Sequence, residues 1–223
     1  MANETDEQAG LLRDAALNGG GWMTAAVSGT ALLASGVSLW ETTIKQPNLK
    51  VYVTENLSYT RDPYGSYEVV AMPITIQNGG ARDAAVISLT LDVKNTATGS
   101  SDRFISAFTA DAQYFGGRDD VAQRIKRPKT PFAPIAIAGR AAYTGTILFY
   151  PPEYEEQRLL EPRAKVEMTL KLTLPEPSGL LERWLTASPG AVSFKADVPN
   201  YLPGALLTGD NVRLKVTMTA EES

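Results

Sequence analysis

Apolar and polar residues alternate along most of the chain after residue 48. A period of two puts successive side chains on opposite faces of an extended chain, so each alternating segment predicts a half-buried strand. Such segments cover residues 49–53, 72–76, 87–93, 143–150, 166–174, 192–198 and 212–218. Gly, Pro and Asp are frequent between them, which predicts roughly seven or eight antiparallel strands with one face toward water. Pro73 cannot donate to a ladder and predicts an edge or a bulge.

The segment ITIQNGGARDAAVISLTLDV reads as two strands joined through Asn78, Gly79 and Gly80, which tolerate positive φ. Here the chain resembles the immunoglobulin-like and fibronectin-type sandwiches, in which an N-x-G turn often follows a core strand. The resemblance covers roughly Leu49 to Met218 and lacks the Cys and core-Trp pattern of antibody domains. It implies an all-β fold, an antiparallel two-sheet immunoglobulin-like sandwich, over residues 49–223.

A stretch without charge precedes the strands, from residue 21 to residue 40. Trp22 and Trp40 bracket it, and as a helix it would separate them by roughly 27 Å, close to the spacing of the two interfacial aromatic belts. We therefore expect a transmembrane α-helix over residues 21–41, between an acidic polar tail (1–20) and a linker (42–48). A buried core helix and a signal peptide are the alternatives, although the acidic tail disfavours a signal peptide.

Small residues predominate in this predicted helix. Ala25 and Gly29 form a small-xxx-small pair, and Leu32 and Gly36 continue the same face. Such a face lets helices approach closely in lipid, so we expect these four residues to pack against another helix, with a lone anchor as the alternative.

Composition narrows the chemistry. The 223 residues, 43% apolar and 21% charged, predict one globular domain beside the anchor. The chain has no Cys and no His, which removes thiolate nucleophiles, His-dependent triads and imidazole metal ligands. The net charge of −4 gives no reason to expect nucleic acid. We expect no catalytic residue, metal, cofactor or small-molecule substrate, and therefore no enzyme.

The segment 116–129 is the one basic run in the sequence. Its basic residues are Arg118, Arg124, Lys126, Arg127 and Lys129. They are candidate contacts for anionic lipid headgroups or an acidic partner, and a solvated loop is the alternative. The adjacent Asp119 and Asp120 point apart in any regular backbone and are rejected as a calcium site. The Glu-rich segment 151–162 is interpreted as a solvated turn of helix rather than an acid–base pair.

Aromatic and aliphatic residues late in the chain form a second candidate contact. Trp184 lies in a predicted short helix, and Tyr201, Leu202, Leu206 and Leu207 follow in the segment NYLPGALLTGD. Together they predict an apolar patch for a partner or the membrane interface, with capping of the core as the alternative.

These features favour a non-catalytic accessory or scaffold subunit of a larger membrane complex, such as a respiratory or photosynthetic assembly. Its predicted partners are integral-membrane subunits and the lipid bilayer. Lys45 and Lys50 after the helix, against Arg13 before it, favour a cytoplasmic over an extracytoplasmic domain. The alternative is a membrane-anchored extracytoplasmic module that binds a glycan, a peptide or an envelope component.

Overall fold

Strands occupy most of the chain after residue 48, as the alternation requires. The computed structural model describes residues 25–61, 67–110, 129–152, 159–176, 190–207 and 211–218. The chain divides into two compact units, Met1–Lys45 and Gln46–Ser223. The described strands of the second unit are β1 (Leu49–Val53), β2 (Asn56–Arg61), β3 (Glu68–Asn78), β4 (Ala84–Val86), β5 (Ser88–Asn95), β6 (Ser101–Ala110), β7 (Lys129–Pro131), β8 (Ile135–Ile137), β9 (Ala142–Tyr150), β10 (Lys165–Thr173), β11 (Val192–Asp197) and β12 (Val212–Met218).

Eight of these strands close into a barrel in which every pairing is antiparallel. The order around the ring is β3, β2, β12, β11, β10, β5, β6 and β9, and β9 returns to β3. The strand β1 adds to β3, β7 adds to β6, and β4 pairs with β8 in a separate two-stranded sheet.

The expectation of an immunoglobulin-like sandwich is therefore wrong. A sandwich leaves its two sheets without hydrogen bonds between them. Here β9 pairs with β3 along one edge, from Val70↔Phe149 to Gln77↔Ala142, and with β6 along the other. Because β9 joins both halves, the sheet closes on itself.

Pro73 explains a break in the barrel wall. The N–H of Asn78 donates to Ala141 O on the β9 side of β3, so odd-numbered residues of β3 present their backbone to β1 and β2. Pro73 faces that side and has no N–H to offer. The pairing with β1 ends at Val53↔Ile74 and the pairing with β2 resumes at Ser58↔Ala71, which leaves four residues opposite two. Pro73 thus lies at the gap between β1 and β2, while its other side stays paired with Thr146 of β9.

Inward-facing side chains fill the barrel. Every second residue of β10 is buried, including Val166, Met168 and Leu170, while the residues between them face outward. The largest fully buried side chains include Tyr59, Phe104, Phe149 and Phe194. The core is thus a packed interior rather than a lumen.

Two buried asparagines fix connections at the ends of strands. Asn78 ends β3 and Asn95 ends β5, and both side chains are almost completely buried. Asn95 Oδ1 accepts from the N–H groups of Ala97 and Thr98, and Nδ2 donates to Leu159 O at 3.0 Å. Each side chain satisfies backbone groups that would otherwise be buried without partners.

The first unit contributes a helix, α1, at residues 25–39, followed by a π-helical turn at Trp40–Ile44. Its apolar side chains are exposed, among them Leu32, Leu33 and Val37. None of the helices within the described residues combines the length and the apolarity needed to cross a bilayer. The prediction of a single-pass transmembrane helix, and of the membrane localisation that rested on it, is therefore wrong. Ala, Ser, Gly and Thr dominate α1, and the chain leaves α-helical geometry at Trp40.

Candidate interaction surface

The outer faces of five neighbouring strands carry most of the charge of the barrel. On β6, β5, β10, β11 and β12, every second residue points away from the packed core. The basic residues at these positions are Lys94, Arg103, Lys165, Lys171, Lys195, Arg213 and Lys215, and the acidic ones are Asp92, Glu167 and Asp197. We call this set the charged face.

The strand register orders these charges in rows across the sheet. One row runs Lys94, Glu167, Lys195 across β5, β10 and β11. The next runs Lys165, Asp197, Lys215 across β10, β11 and β12. In both rows a carboxylate lies between two basic side chains on adjacent strands, which are about 4.8 Å apart.

Asp92 is the centre of a third basic–acidic–basic group, in which Lys171 is diagonal to it rather than directly opposite. It lies opposite Arg103 in the β5–β6 register, and its Oδ1 accepts from Arg103 Nε at 2.8 Å. Lys171 reaches it from β10 and donates from Nζ to Oδ2 at 2.7 Å. These hydrogen bonds, from Lys171 first and then Arg103, lower the pKa of the Asp92 carboxyl below its usual range. Asp92 therefore remains ionised at neutral pH and fixes both cations.

Positive charge is nevertheless in excess on this face. Lys195 approaches Glu167 at 3.6 Å, a loose ion pair. Among the described residues, none forms an ion pair with Lys94, Lys165, Arg213 or Lys215, and all four are exposed. The face holds seven basic and three acidic side chains, whereas the whole chain has a net charge of −4. The charged face is thus positive on an acidic protein.

A second polar cluster is buried inside the barrel, next to the ends of β2 and β3. Tyr59 donates from its hydroxyl to Glu68 Oε1 at 2.6 Å, and the N–H of Leu159 donates to Oε2 at 3.3 Å. Burial raises the pKa of the Glu68 carboxyl, although these hydrogen bonds and the charge of Arg61 act in the opposite direction. Burial also raises the pKa of Tyr59, with a further contribution from Glu68. Because both groups are almost fully covered, we assign the pair to the support of the fold.

Metal-binding groups do not converge anywhere in the described ranges. No three Asp or Glu side chains within them lie close enough together to hold an ion. The carboxylates on the described surface therefore alternate with basic residues across the sheet and do not form a metal-binding cluster.

Comparisons with known proteins identify no family. No family model matches the chain, and no curated protein matches it. Among solved structures, one match is the crystal structure of a protein from Bordetella pertussis that carries the name ApaA. It is 14% identical, with a TM-score of 0.30, over 70% of this chain and 93% of that chain. A match this distant carries no argument about fold or function.

The structure places the predicted contact residues that it describes in different environments and does not bring them together at one site. Trp22, Arg118, Arg124, Lys126, Arg127 and Trp184 lie outside the described residues. Lys129 begins β7, where its ammonium lies 4.4 Å from the Phe108 ring centroid. Tyr201 donates to Leu160 O at 2.5 Å and meets the Tyr59 ring edge-on. Leu206, in the short helix α2 (Pro203–Leu207), is fully buried in the core.

The residues predicted for helix packing are open to solvent. Ala25, Leu32 and Gly36 are exposed on α1, and Gly29 is half-buried. A methyl group added at Gly29 or Gly36 would contact nothing within 4 Å. Trp40, predicted as an interfacial anchor, begins the π-helical turn and is 43% exposed.

The charged face was not predicted, although the sequence shows the alternation of charged and apolar residues that produces it. The segment KVEMTLKLT alternates charge with apolar residues, and so does VRLKVTM. Alternation predicts which side chains face outward, but not which strand lies beside which. The basic–acidic–basic rows become visible only with the register.

Proposed function

We propose that the barrel is a non-catalytic protein-binding module that holds an acidic surface of another protein against its charged face. The observation that carries this proposal is the pair of basic–acidic–basic rows beside the Arg103–Asp92–Lys171 group. The same face holds four basic side chains that form no ion pair with a described carboxylate, namely Lys94, Lys165, Arg213 and Lys215. A partner that brings carboxylates opposite those cations would complete the charge pattern.

The acidic residues of the rows favour a protein over a polyanion. A phosphate backbone presents negative charge at every repeat, so it would meet Glu167 and Asp197 as well as the lysines beside them. Like charges brought together at a contact weaken it. A protein surface can vary its charge from one side chain to the next, which suits an alternating pattern.

The proposal keeps the accessory or scaffold role that we expect from the sequence, without the membrane complex. The proposal requires no bilayer and no helix packing, because all of its contacts lie on strands of the second unit. The packed core supports it, since a rigid wall holds outward side chains at fixed spacings.

The test compares proteins that remain bound to the tagged full-length chain after mild chemical crosslinking in its native cells. One variant reverses two unpaired cations in one row, Lys165→Glu with Lys215→Glu. The matched control, Arg82→Glu with Arg140→Glu, makes the same change in charge at exposed residues of the connections after β3 and before β9, which are not part of the charged face. Quantitative mass spectrometry reads the fraction of each bound protein that is lost.

We expect at least one stoichiometric partner to be lost from the reversed variant and kept by the control. Its recovery by the wild-type chain should fall as salt rises from about 0.05 to 0.5 M, because exposed charges are screened over about 10 Å at 0.1 M and less at higher salt. An identical set of bound proteins for both variants would contradict the proposal. So would selective loss of nucleic acid rather than protein.

A further inference from the structure

The strand β1 has one edge that no described strand covers. Its other edge pairs with β3 from Leu49↔Asn78 to Val53↔Ile74. All eight ring strands have neighbours on both edges, whereas β1 ends the sheet order. Within the ranges that the structure describes, β1 is also longer than the other strands outside the ring, since β4, β7 and β8 have three residues each.

The ladder determines which backbone groups lie along this open edge. The N–H of Gly79 donates to Asn48 O, so Asn48 directs its carbonyl toward β3. Alternate residues of an antiparallel strand direct both backbone groups to the same side. Lys50 and Tyr52 therefore bond to β3, and Leu49, Val51 and Val53 direct N–H and C=O away from it.

We infer that a second copy of this chain docks on the open edge, with the two β1 strands antiparallel and a two-fold axis at Val51. In this register Val51 meets Val51 of the second copy, and Leu49 meets Val53. These are the residues whose backbone groups are directed outward, so up to about six N–H···O bonds form across the axis. The contact is isologous and closes on itself.

The side chains of LKVYV suit pairing with themselves. On one face, Leu49, Val51 and Val53 are half-buried against the core and would form a continuous apolar strip across the axis. On the other, Lys50 of each copy lies opposite Tyr52 of the other, and Tyr52 is 51% exposed in the single chain. An ammonium beside an aromatic ring is a favourable cross-strand neighbour. The match of the strand to its own reverse selects a second copy over an unrelated peptide.

This inference is independent of the charged face, because β1 contributes none of its residues. The experiment is sedimentation equilibrium of the full-length chain over a range of protein concentrations. Tyr52→Lys places a lysine opposite Lys50 of the other copy twice in each dimer. Lys50→Glu combined with Tyr52→Lys restores an opposite-charge pair at both places. Thr173→Lys, at an exposed position of β10, is the matched control.

We expect a reversible dimer for the wild-type chain, with a dissociation constant about tenfold higher for Tyr52→Lys. The double variant should recover most of that loss, and Thr173→Lys should leave dimerisation unchanged. Circular dichroism checks that every variant is folded. A wild-type chain that remains monomeric at all concentrations would overturn the inference. Self-association that Tyr52→Lys leaves unchanged would overturn it too, and would assign the contact to another surface.

Discussion

Asn78 offers the strictest test of how the barrel is held together. Its side chain is completely buried where β3 leaves the barrel wall. Its Oδ1 accepts from the N–H groups of Gly80 at 2.9 Å and Asn48 at 3.3 Å, and its Nδ2 donates to the carbonyl oxygens of Arg82 at 2.8 Å, Ala138 at 3.3 Å and Ile137 at 3.4 Å. One side chain thus links β1, the turn after β3, and β8.

Two of these bonds are short enough to dominate the cost of removing them. Asn78→Ala leaves the Gly80 N–H and the Arg82 carbonyl without that partner in a buried place. Each such group costs about 1–3 kcal/mol, so we expect the free energy of unfolding to fall by about 3 kcal/mol. Asn78→Asp keeps both accepted bonds but turns the donor into an oxygen that faces three carbonyls. We expect a loss of about 4 kcal/mol at pH 7, because a buried charge is added to the lost bonds.

Urea denaturation followed by circular dichroism measures both losses, with Asn56→Ala and Asn56→Asp as controls at an exposed asparagine. The controls should change stability by no more than about 0.5 kcal/mol. Acidification should restore part of the stability of Asn78→Asp relative to wild type, because the protonated carboxyl regains one donor. If Asn78→Asp were as stable as Asn56→Asp, the hydrogen-bond reasoning would be refuted.

Three further substitutions probe other parts of the wall. Gly139→Ala should cost about 2 kcal/mol of unfolding free energy, because its Cβ would overlap the carbonyl of Ala81, whereas Gly190→Ala meets open space and should cost far less in the same urea assay. Asp92→Asn should lower stability at pH 7 by about 0.5 kcal/mol in low salt. The pKa of Asp92 is lowered in the folded state, so its contribution to the free energy of unfolding is present above the ordinary value of 3.8 and is lost as pH falls through the folded value. The difference in unfolding free energy between wild type and variant should therefore shrink at acidic pH. A difference that stays constant from pH 7 to pH 2 would contradict this. Burial raises the pKa of Glu68, so the stability of the wild-type chain should decrease as pH rises from 4.5 through the folded value. Glu68→Gln should weaken this pH dependence of the melting temperature. A variant whose melting temperature depends on pH as the wild type's does would contradict the prediction.

Periodicity predicted most strands because their inward positions are apolar. Apolar and polar residues alternate regularly enough to predict the strands β1, β3, β5, β9, β10, β11 and β12. In β2 the buried residues are Leu57, Tyr59, Thr60 and Arg61, so polar side chains interrupt the pattern and the strand was missed. β6 reads SDRFISAFTA, in which Phe104 is the single residue that is fully buried. A strand whose burial depends on its neighbours in the fold cannot be predicted from the pattern of its own residues.

Closure of the sheet is a second property that the sequence could not reveal. It depends on β9 pairing with β3 and with β6, which are far from it along the chain. An open two-sheet arrangement would need the same alternation of residues. The transmembrane prediction is wrong for a different reason: residues 21–40 carry no charge, but the Ala, Ser, Gly and Thr residues among them are only weakly apolar.

Zero-length crosslinking with a carbodiimide tests the proposed binding function most directly, because it joins a lysine to a carboxylate only where the two are in contact. The full-length chain is crosslinked with the partner that depends on its charged face, and the joined residues are identified by mass spectrometry. We predict amide bonds from Lys165, Lys215 or Lys94 to aspartates or glutamates of the partner. Crosslinks that arise from Lys50 or Lys129 instead, with none from the charged face, would contradict the account.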